Sequence, residues 1–359
     1  RWPAHPLTGE DGPMQTLRLS SAPEDLARAA DILRSGGLVA FPTETVYGLG
    51  ANALDPAAVA RIFAAKERPS WDPVIVHISD TAILSRITTD TPPAAKALIA
   101  AFWPGPLTLL LPRSSAIHDA VTAGRALVGV RMPAHPVAFD LIRLAGVPIA
   151  APSANRFGHI SPTTAEHVLA DLDGRIDAVV DAGPTQHGVE STVLDPAQNP
   201  IVIYRPGAIT IEQVHDVAGP AFLYKPDPKS KSPEGAPSPG VGIRHYAPRA
   251  RVVLIEAPDE EMPIALAQAA ADQAHARPDS RLGILLPREF AQAALTHTTT
   301  FDWGSWEAPE ELATSLYAGL RALDAAGCDL ILCPLPAEKG IGAALRDRLQ
   351  KAAWKDEKI

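Results

Sequence analysis

Seven prolines fall between Pro220 and Pro248, and they limit what this chain can fold into. Proline removes a backbone donor and clashes with the preceding helical turn, so no ordinary helix or central strand survives that density. With Lys225, Lys229, Lys231 and Gly235 among them, the segment reads as a semi-extended linker. Two domains are therefore expected, at about 15–218 and 250–359, with a linker or lid over 219–249. The length agrees, since 359 residues exceed what one core usually serves. Residues 1–14 begin "RWPAHPLTGEDGP", show no periodicity, and are set aside as an extension or cloning remnant. The linker ends in an unusual way. In "SPGVGIRHYAPRA" (238–250), Arg244, His245 and Tyr246 stand between Pro239 and Pro248, where turn and stiffening residues would present them to a neighbouring cavity.

The first domain alternates helical and strand patterns. Ser21 and Glu24 have capping-box spacing, Leu26, Ala29, Ala30 and Leu33 form an apolar stripe, and Gly36-Gly37 stops the helix. Strands are predicted at 38–41, 74–78, 107–111, 127–131, 148–151, 177–181, 191–195 and 201–205. Helices are predicted at 56–65 behind Asp55-Pro56, at 136–145, and at 164–172 behind a Thr163-x-x-Glu166 capping box. Two strand pairs have connections too short for a crossover helix, so the sheet is expected to be mixed. The second domain, with "RVVLIE", "RLGILL" and "DLILCPL" separated by helices near 262–275, 309–326 and 341–353, reads as a small open α/β layer with a supporting or gating role.

Several classes of function are disfavoured. A net charge of −9 argues against coating nucleic acid through phosphate neutralisation, so any RNA contact would be weak and local. No apolar run approaches the ~20 residues of a membrane span, and no signal pattern opens the chain. Cys328 and Cys333 are too few for a disulfide framework and read as buried thiols in a reducing cytoplasm.

Taken singly, the polar motifs are ambiguous. "FPTETVYGLGANA" (41–53) contains Gly48-x-Gly50-x-x-Ala53, but six residues separate strand and first glycine, unlike a dinucleotide turn; Thr43, Glu44, Thr45 and Tyr47 suit a polar turn or a binding loop equally. Lys66 and Arg68 lie in a proline-stiffened loop that suits an anionic ligand, or they simply complement a helix end. His77 alone would be a core histidine. Ser153, Asn155 and Ser161 suggest a phosphate seat or an ordinary Ser/Asn/Pro loop. Arg131, Ser191 and Arg205 stand at strand ends.

In order along the chain, "GGLVAFPTETVYGLGANA", "KERPxxxP", "FWPGPLTLLL", "VGVRMPAHP", "PIAAPSAN", "SPTTAEHV", "GVESTVLD" and "YRPG" are specific. They resemble the threonylcarbamoyl-AMP synthase family, whose domains are YrdC-like, across nearly all of 15–218. The linker motif "SPGxxxRHYAP" and the small domain after it resemble the long form. The resemblance implies an α/β fold: a YrdC-like twisted mixed-sheet domain with a large cavity, plus a smaller C-terminal open α/β, Rossmann-like domain.

It also implies an activity, in which ATP, L-threonine and bicarbonate or CO2 give threonylcarbamoyl-AMP and pyrophosphate. Mg2+ would accompany ATP, with no organic cofactor, and a threonylcarbamoyl-transferase complex would pass the group to tRNA beside the anticodon. Carried over by motif, the ATP side comprises Lys66, Arg68, Ser153, Asn155, Ser161, Arg205 and Tyr246, with Lys66 and Arg68 acting catalytically through charge alone. The threonine side comprises Thr45, His77, Arg131, Ala151 and Ser191. Asp72, beside Trp71, departs from the usual small polar residue; near ATP it would repel phosphate unless it holds metal or points away. Leu127 stands where relatives often have Thr and is not counted. Two other readings remain. An RNA-binding module would show salt-sensitive RNA binding without ATP turnover, and carbamoyl transfer of the hydrogenase-maturation type expects zinc-binding Cys pairs that this chain lacks.

Overall fold

A computed structural model describes residues 15–225, 245–294 and 297–353. The larger sheet comprises β1 (Leu17–Leu19), β2 (Val39–Pro42), β3 (Tyr47–Asn52), β4 (Val76–His77), β5 (Leu107–Pro112), β6 (Leu127–Arg131), β7 (Ile149–Ala150), β8 (Ala178–Val180), β9 (Thr192–Asp195), β10 (Ile201–Arg205) and β11 (Ala221–Leu223). Their order is β1-β8-β2-β3-β7-β4-β6-β5-β9-β10-β11. The sheet is mixed as expected: β2–β3 and β9–β10 are antiparallel neighbours, whereas β1–β8 and β5–β9 run parallel.

The glycines of 41–53 serve this sheet. "YGLGAN" forms β3, whose Tyr47 to Gly50 pair with β2, so the segment is a hairpin whose turn carries Thr43 to Thr45. A Cβ at Gly50 would come within 2.7 Å of the Phe41 ring and 2.9 Å of the Ile149 side chain. Close packing between neighbouring strands, rather than approach to a phosphate, requires that glycine.

Helix starts are partly as predicted. Asp55 caps Pro56–Lys66, accepting from the Ala57 and Ala58 amides, with Pro56 in the first turn. The two expected capping boxes do not form. At Pro23–Arg34 the cap position falls on Ala22 because Pro23 occupies the first turn, and the entry is fixed instead by Asp25, which accepts from the Ser20 amide and hydroxyl. At Ala165–Leu172 the cap shifts by one residue to Thr164, and Glu166 turns outward to pair with Arg18.

The second domain holds β12 (Arg251–Ile255), β13 (Leu282–Pro287), β14 (Thr299–Gly304) and β15 (Leu330–Pro334), all parallel, in the order β12-β15-β13-β14. Helices Met262–Ala276, Pro309–Ala325 and Gly342–Ala353 cover it. Cys328 and Cys333 are both buried free thiols. Among the described residues no helix is long and apolar enough to cross a membrane. Most of the expected linker, including Arg244, lies outside the described residues; His245 and Tyr246 lie within them.

The domains join through buried contacts. One core cluster mixes residues of both, with Val46, Ile160 and Val189 beside Tyr246, Leu316, Tyr317 and Leu345. Arg321 reaches across to Asp171 at 2.8 Å, and Thr314 donates to the Gln186 carbonyl, also at 2.8 Å.

Candidate active site

Several strand ends of the larger sheet open on one cavity. His77, Arg131 and Arg205 are the last residues of β4, β6 and β10, Ala151 follows β7, Ser191 precedes β9, and Thr43 and Thr45 come from the β2–β3 turn. Small-molecule sites of open α/β sheets favour such strand ends. Arg68, Ser153, Glu190, His245 and Tyr246 complete much of the wall. The expected cavity is thus present but narrow here, with about 50 Å³ of free space. That admits a few waters.

At one end, Arg131 faces Glu44 at 2.7 Å, both buried, and its Nη1 donates to Thr45 Oγ1 at 3.0 Å. Thr45 Oγ1 lies 2.8 Å from Thr43 Oγ1. Burial pushes the Glu44 carboxyl up, but the Arg131 charge and hydrogen bonding outweigh it and hold it below its ordinary value. Arg131 Nη2 and both Glu44 carboxylate oxygens lack well-aligned hydrogen bonds. The guanidinium therefore keeps donor capacity for another oxyanion. His77 is pushed down to about 3, chiefly by burial and then by Arg131, so the imidazole is neutral in the working range.

Toward β9 and β10, Arg205 donates from Nε to the Ser191 carbonyl and from Nη2 to Ser191 Oγ, both at 3.0 Å. Ser191 Oγ also meets Thr108 Oγ1 at 2.8 Å. Tyr246 lines the cavity with 1% exposure, and among the described residues its hydroxyl has no hydrogen-bond partner. Its ring meets His245 at 4.2 Å between centroids.

Lys66, Asp72, Asn155 and Ser161 stand behind this wall rather than on it. Lys66 Nζ donates to the Ser153 carbonyl at 2.5 Å and to the Asn155 carbonyl. Burial and then the neighbouring Arg68 hold its pKa well below the ordinary lysine value. Asn155 Nδ2 donates to the Arg156 and His159 carbonyls, which shapes the same loop. Asp72 pairs with the wall residue Arg68 at 2.9 Å; burial raises its pKa against the pull of that guanidinium. Arg68 in turn donates from Nη2 to the Pro73 carbonyl at 2.7 Å. Trp71 meets Phe157 edge-on, and its carbonyl accepts from Arg125 at 2.9 Å. Ser161 Oγ donates to Glu190 Oε1 at 2.5 Å.

Sequence reasoning passed over Glu190. Its carboxylate accepts from Tyr317 OH and from Arg348 Nε, each at 2.8 Å and each from the second domain. Burial would raise its pKa, but Arg348 and Arg205 outweigh that and bring it down to about 2. The motif "GVESTVLD" carried the signal, since Glu190 directly precedes Ser191.

Among the described residues no group of three or more His, Cys, Asp or Glu could hold a metal ion. Glu44, Asp72 and Glu190 are each matched to a guanidinium. The cavity therefore offers fixed positive charge and hydroxyls, an arrangement that positions anionic groups without reorganising.

Comparison with known proteins agrees along most of the chain. The family described as "Telomere recombination", which groups Sua5, YciO and YrdC, matches residues 31–207. The family described as "Threonylcarbamoyl-AMP synthase, C-terminal domain" matches residues 209–354. A threonylcarbamoyl-AMP synthase of Bacillus subtilis is 44% identical over 339 residues, 94% of this chain and 95% of its own. One of Pyrococcus abyssi is 42% identical over 325 residues, 90% of this chain and 93% of its own. A crystal structure of P. abyssi Sua5 complexed with L-threonine superposes with a TM-score of 0.87 at 40% identity, covering 94% of this chain and 97% of that one.

Proposed function

The chain belongs to the threonylcarbamoyl-AMP synthase family, and from that premise we propose that it converts L-threonine, bicarbonate or CO2, and ATP into L-threonylcarbamoyladenylate and pyrophosphate. The observation that carries this reading is the convergence of Arg68, Arg131 and Arg205 on one hydroxyl-lined cavity. The threonine amine captures CO2 as a carbamate. A carbamate oxygen then bonds to the α-phosphorus while the bond to the bridging oxygen breaks, and pyrophosphate leaves. No protein nucleophile is required. Positioning and fixed positive charge supply the rate enhancement.

Arg131 and Thr45 hold the threonine carboxylate, the planar guanidinium suiting a bidentate contact. His77, Ala151 and Ser191 complete that end. Arg68, Ser153, Arg205 and Tyr246 receive the nucleotide. Lys66 and Asn155 act behind them by fixing the 153–155 loop, Asp72 by orienting Arg68, and Ser161 by holding Glu190. Mg2+ would accompany ATP as counter-ion of the substrate triphosphate, because the carboxylates on and around the wall, Glu44, Asp72 and Glu190, are already matched to guanidiniums.

A nucleotide needs more room than this cavity has, so Tyr246 acts as a lid that withdraws for entry and closes over the substrates, keeping water from a labile mixed anhydride. Delivery to a transferase complex acting on tRNA, in the cytoplasm, completes the reading; the free thiols Cys328 and Cys333 support a reducing compartment.

Pyrophosphate release from MgATP, measured with and without threonine and bicarbonate, tests the proposal. Release dependent on both is expected, and clean protein that releases none overturns it. The lid is tested separately: Tyr246→Ala should weaken ATP turnover while the fold persists, and unchanged kinetics would reduce the segment to a tether.

A further inference from the structure

The second domain reaches the cavity only indirectly. Among the described residues, none after Tyr246 lines it. Yet two buried side chains of that domain hold residues that do. Arg348, on helix Gly342–Ala353, pairs with Glu190 at 2.8 Å, and its guanidinium carbon lies 5.2 Å from the Tyr246 ring centroid. Tyr317, on helix Pro309–Ala325, donates to the same carboxylate and stacks on Tyr246 at 5.6 Å with an interplanar angle of 26°.

Tyr246 needs such support. Its φ of 62° is left-handed, a conformation that residues with a Cβ hold only when their surroundings fix it. Among the described residues its hydroxyl finds no hydrogen-bond partner that would anchor the ring. The Ala247 amide donates to the Gly158 carbonyl at 2.9 Å, which fixes the backbone beyond it but not the side chain. Ring position is left to the stack, the guanidinium and His245.

We propose that Arg348 and Tyr317 are positioning residues of the nucleotide site, clamping the Tyr246 ring at the cavity with Glu190 as their common anchor, so that the second domain governs ATP binding through that ring. This rests on the reading that the cavity takes ATP. The ion pair is geometrically suited to the task, since it joins a wall residue of one domain to a helix of the other, with Arg348 at 1% and Glu190 at 5% exposure. A cation over an aromatic face and a parallel stack fix the Tyr246 ring without contacting substrate.

Steady-state pyrophosphate release by the full chain tests it, in Arg348→Met, Arg348→Lys, Tyr317→Leu and Tyr317→Phe, each alone and combined with Tyr246→Ala. Arg348→Met and Tyr317→Leu are expected to raise KM for ATP about tenfold with KM for threonine little changed. Arg348→Lys and Tyr317→Phe should lie between these and the parent. In the Tyr246→Ala background the increments should vanish. Increments that persist there, or a fall in kcat with both KM values unchanged, would mean a merely structural role and overturn the proposal. If Arg348→Met does not fold, Tyr317→Leu, which keeps the ion pair, carries the test alone.

Hydrogen exchange at the Tyr246 and Ala247 amides gives a readout that needs no turnover. It should quicken in Tyr317→Leu relative to the parent, and unchanged protection counts against the clamp. If the parent protein releases no pyrophosphate but exchange is quickened in Tyr317→Leu, the assigned reaction falls and the clamp stands.

Discussion

Arg131 and Glu44 face each other at 2.7 Å with side chains only 5% and 3% exposed, so the residue assigned to the threonine carboxylate already carries a carboxylate partner. The partner balances a buried charge. Glu44→Gln removes that balance and leaves the guanidinium alone. The variant should lose about 3 kcal/mol of stability, the usual order for breaking a buried pair. L-threonine should then restore more of it than in the parent, because its carboxylate replaces the missing charge. Thermal unfolding with and without threonine checks this; an equal threonine shift in both proteins would separate Arg131 from carboxylate binding.

Acidification should weaken the fold through His77. The unfolded chain takes up the proton near pH 6.5, whereas folded His77 does so only near about 3, because burial and then Arg131 penalise the cation. Between those values the unfolded state binds more protons, so stability is complete above about pH 6.5 and falls as pH drops toward 3, by at most about 1.4 kcal/mol per unit. His167, pushed down to about 4 mainly by burial, acts in the same direction. Glu190, depressed to about 2, loses its contribution only below its ordinary carboxylate range. In His77→Gln, Tm should depend less steeply on pH between 6.5 and 4.5. An unchanged slope would mean that His77 is not held neutral.

The site was legible in sequence where its residues come from strand ends, because each carries a local signal: a β-rich run, then a polar or basic residue, then proline or a turn. Arg131 and Arg205 show that signal, whereas His77 alone reads as a core histidine; all three joined the expected site through the ordered family motifs. Contacts between distant segments left no such mark. Arg348 pairs with a residue 158 positions away, and its only trace is a lone arginine in the buried stripe Leu345, Arg348, Leu349 and Ala352. Lys66, Asn155 and Asp72 have the right chemistry for a ligand, but Lys66 and Asn155 donate to backbone carbonyls and Asp72 pairs with Arg68, which spacing cannot reveal. Four strands escape the sequence reading: β3, where close packing requires glycines; β14, "TTFDWG", a polar edge strand beside β13; and the three-residue edge strands β1 and β11, too short for a period to show, the last inside the expected linker.

The domain contact should be sensitive at Gly188. Its φ is +67°, and a Cβ there would fall 2.2 Å from the Ala313 carbonyl oxygen and 2.6 Å from Thr314 Cα. Neither backbone atom can yield without moving helix Pro309–Ala325, which also carries Tyr317. Gly188→Ala should therefore cost about 2 kcal/mol or more, through backbone strain and overpacking together. Denaturant unfolding measures the loss. A change within about 0.5 kcal/mol, as for an ordinary surface substitution, would show that the domains do not meet this closely in solution.

Lys66 offers a last test, because direct contact with ATP and support of the wall predict different outcomes. Its Nζ satisfies the carbonyls of Ser153 and Asn155 at 1% exposure, and Ser153 is the neighbour that reaches the cavity. Lys66→Met keeps much of the side-chain volume and leaves both carbonyls without this donor, which should cost about 1–3 kcal/mol for each group left unsatisfied. If support is its role, Tm falls, KM for ATP rises, and adding Ser153→Ala raises KM little further, since the first change has already displaced the loop. If instead the ammonium meets phosphate directly, KM for ATP rises with Tm unchanged and the two substitutions add in free energy. The buried geometry predicts the first pattern, and additive effects with an intact Tm would return Lys66 to the phosphate.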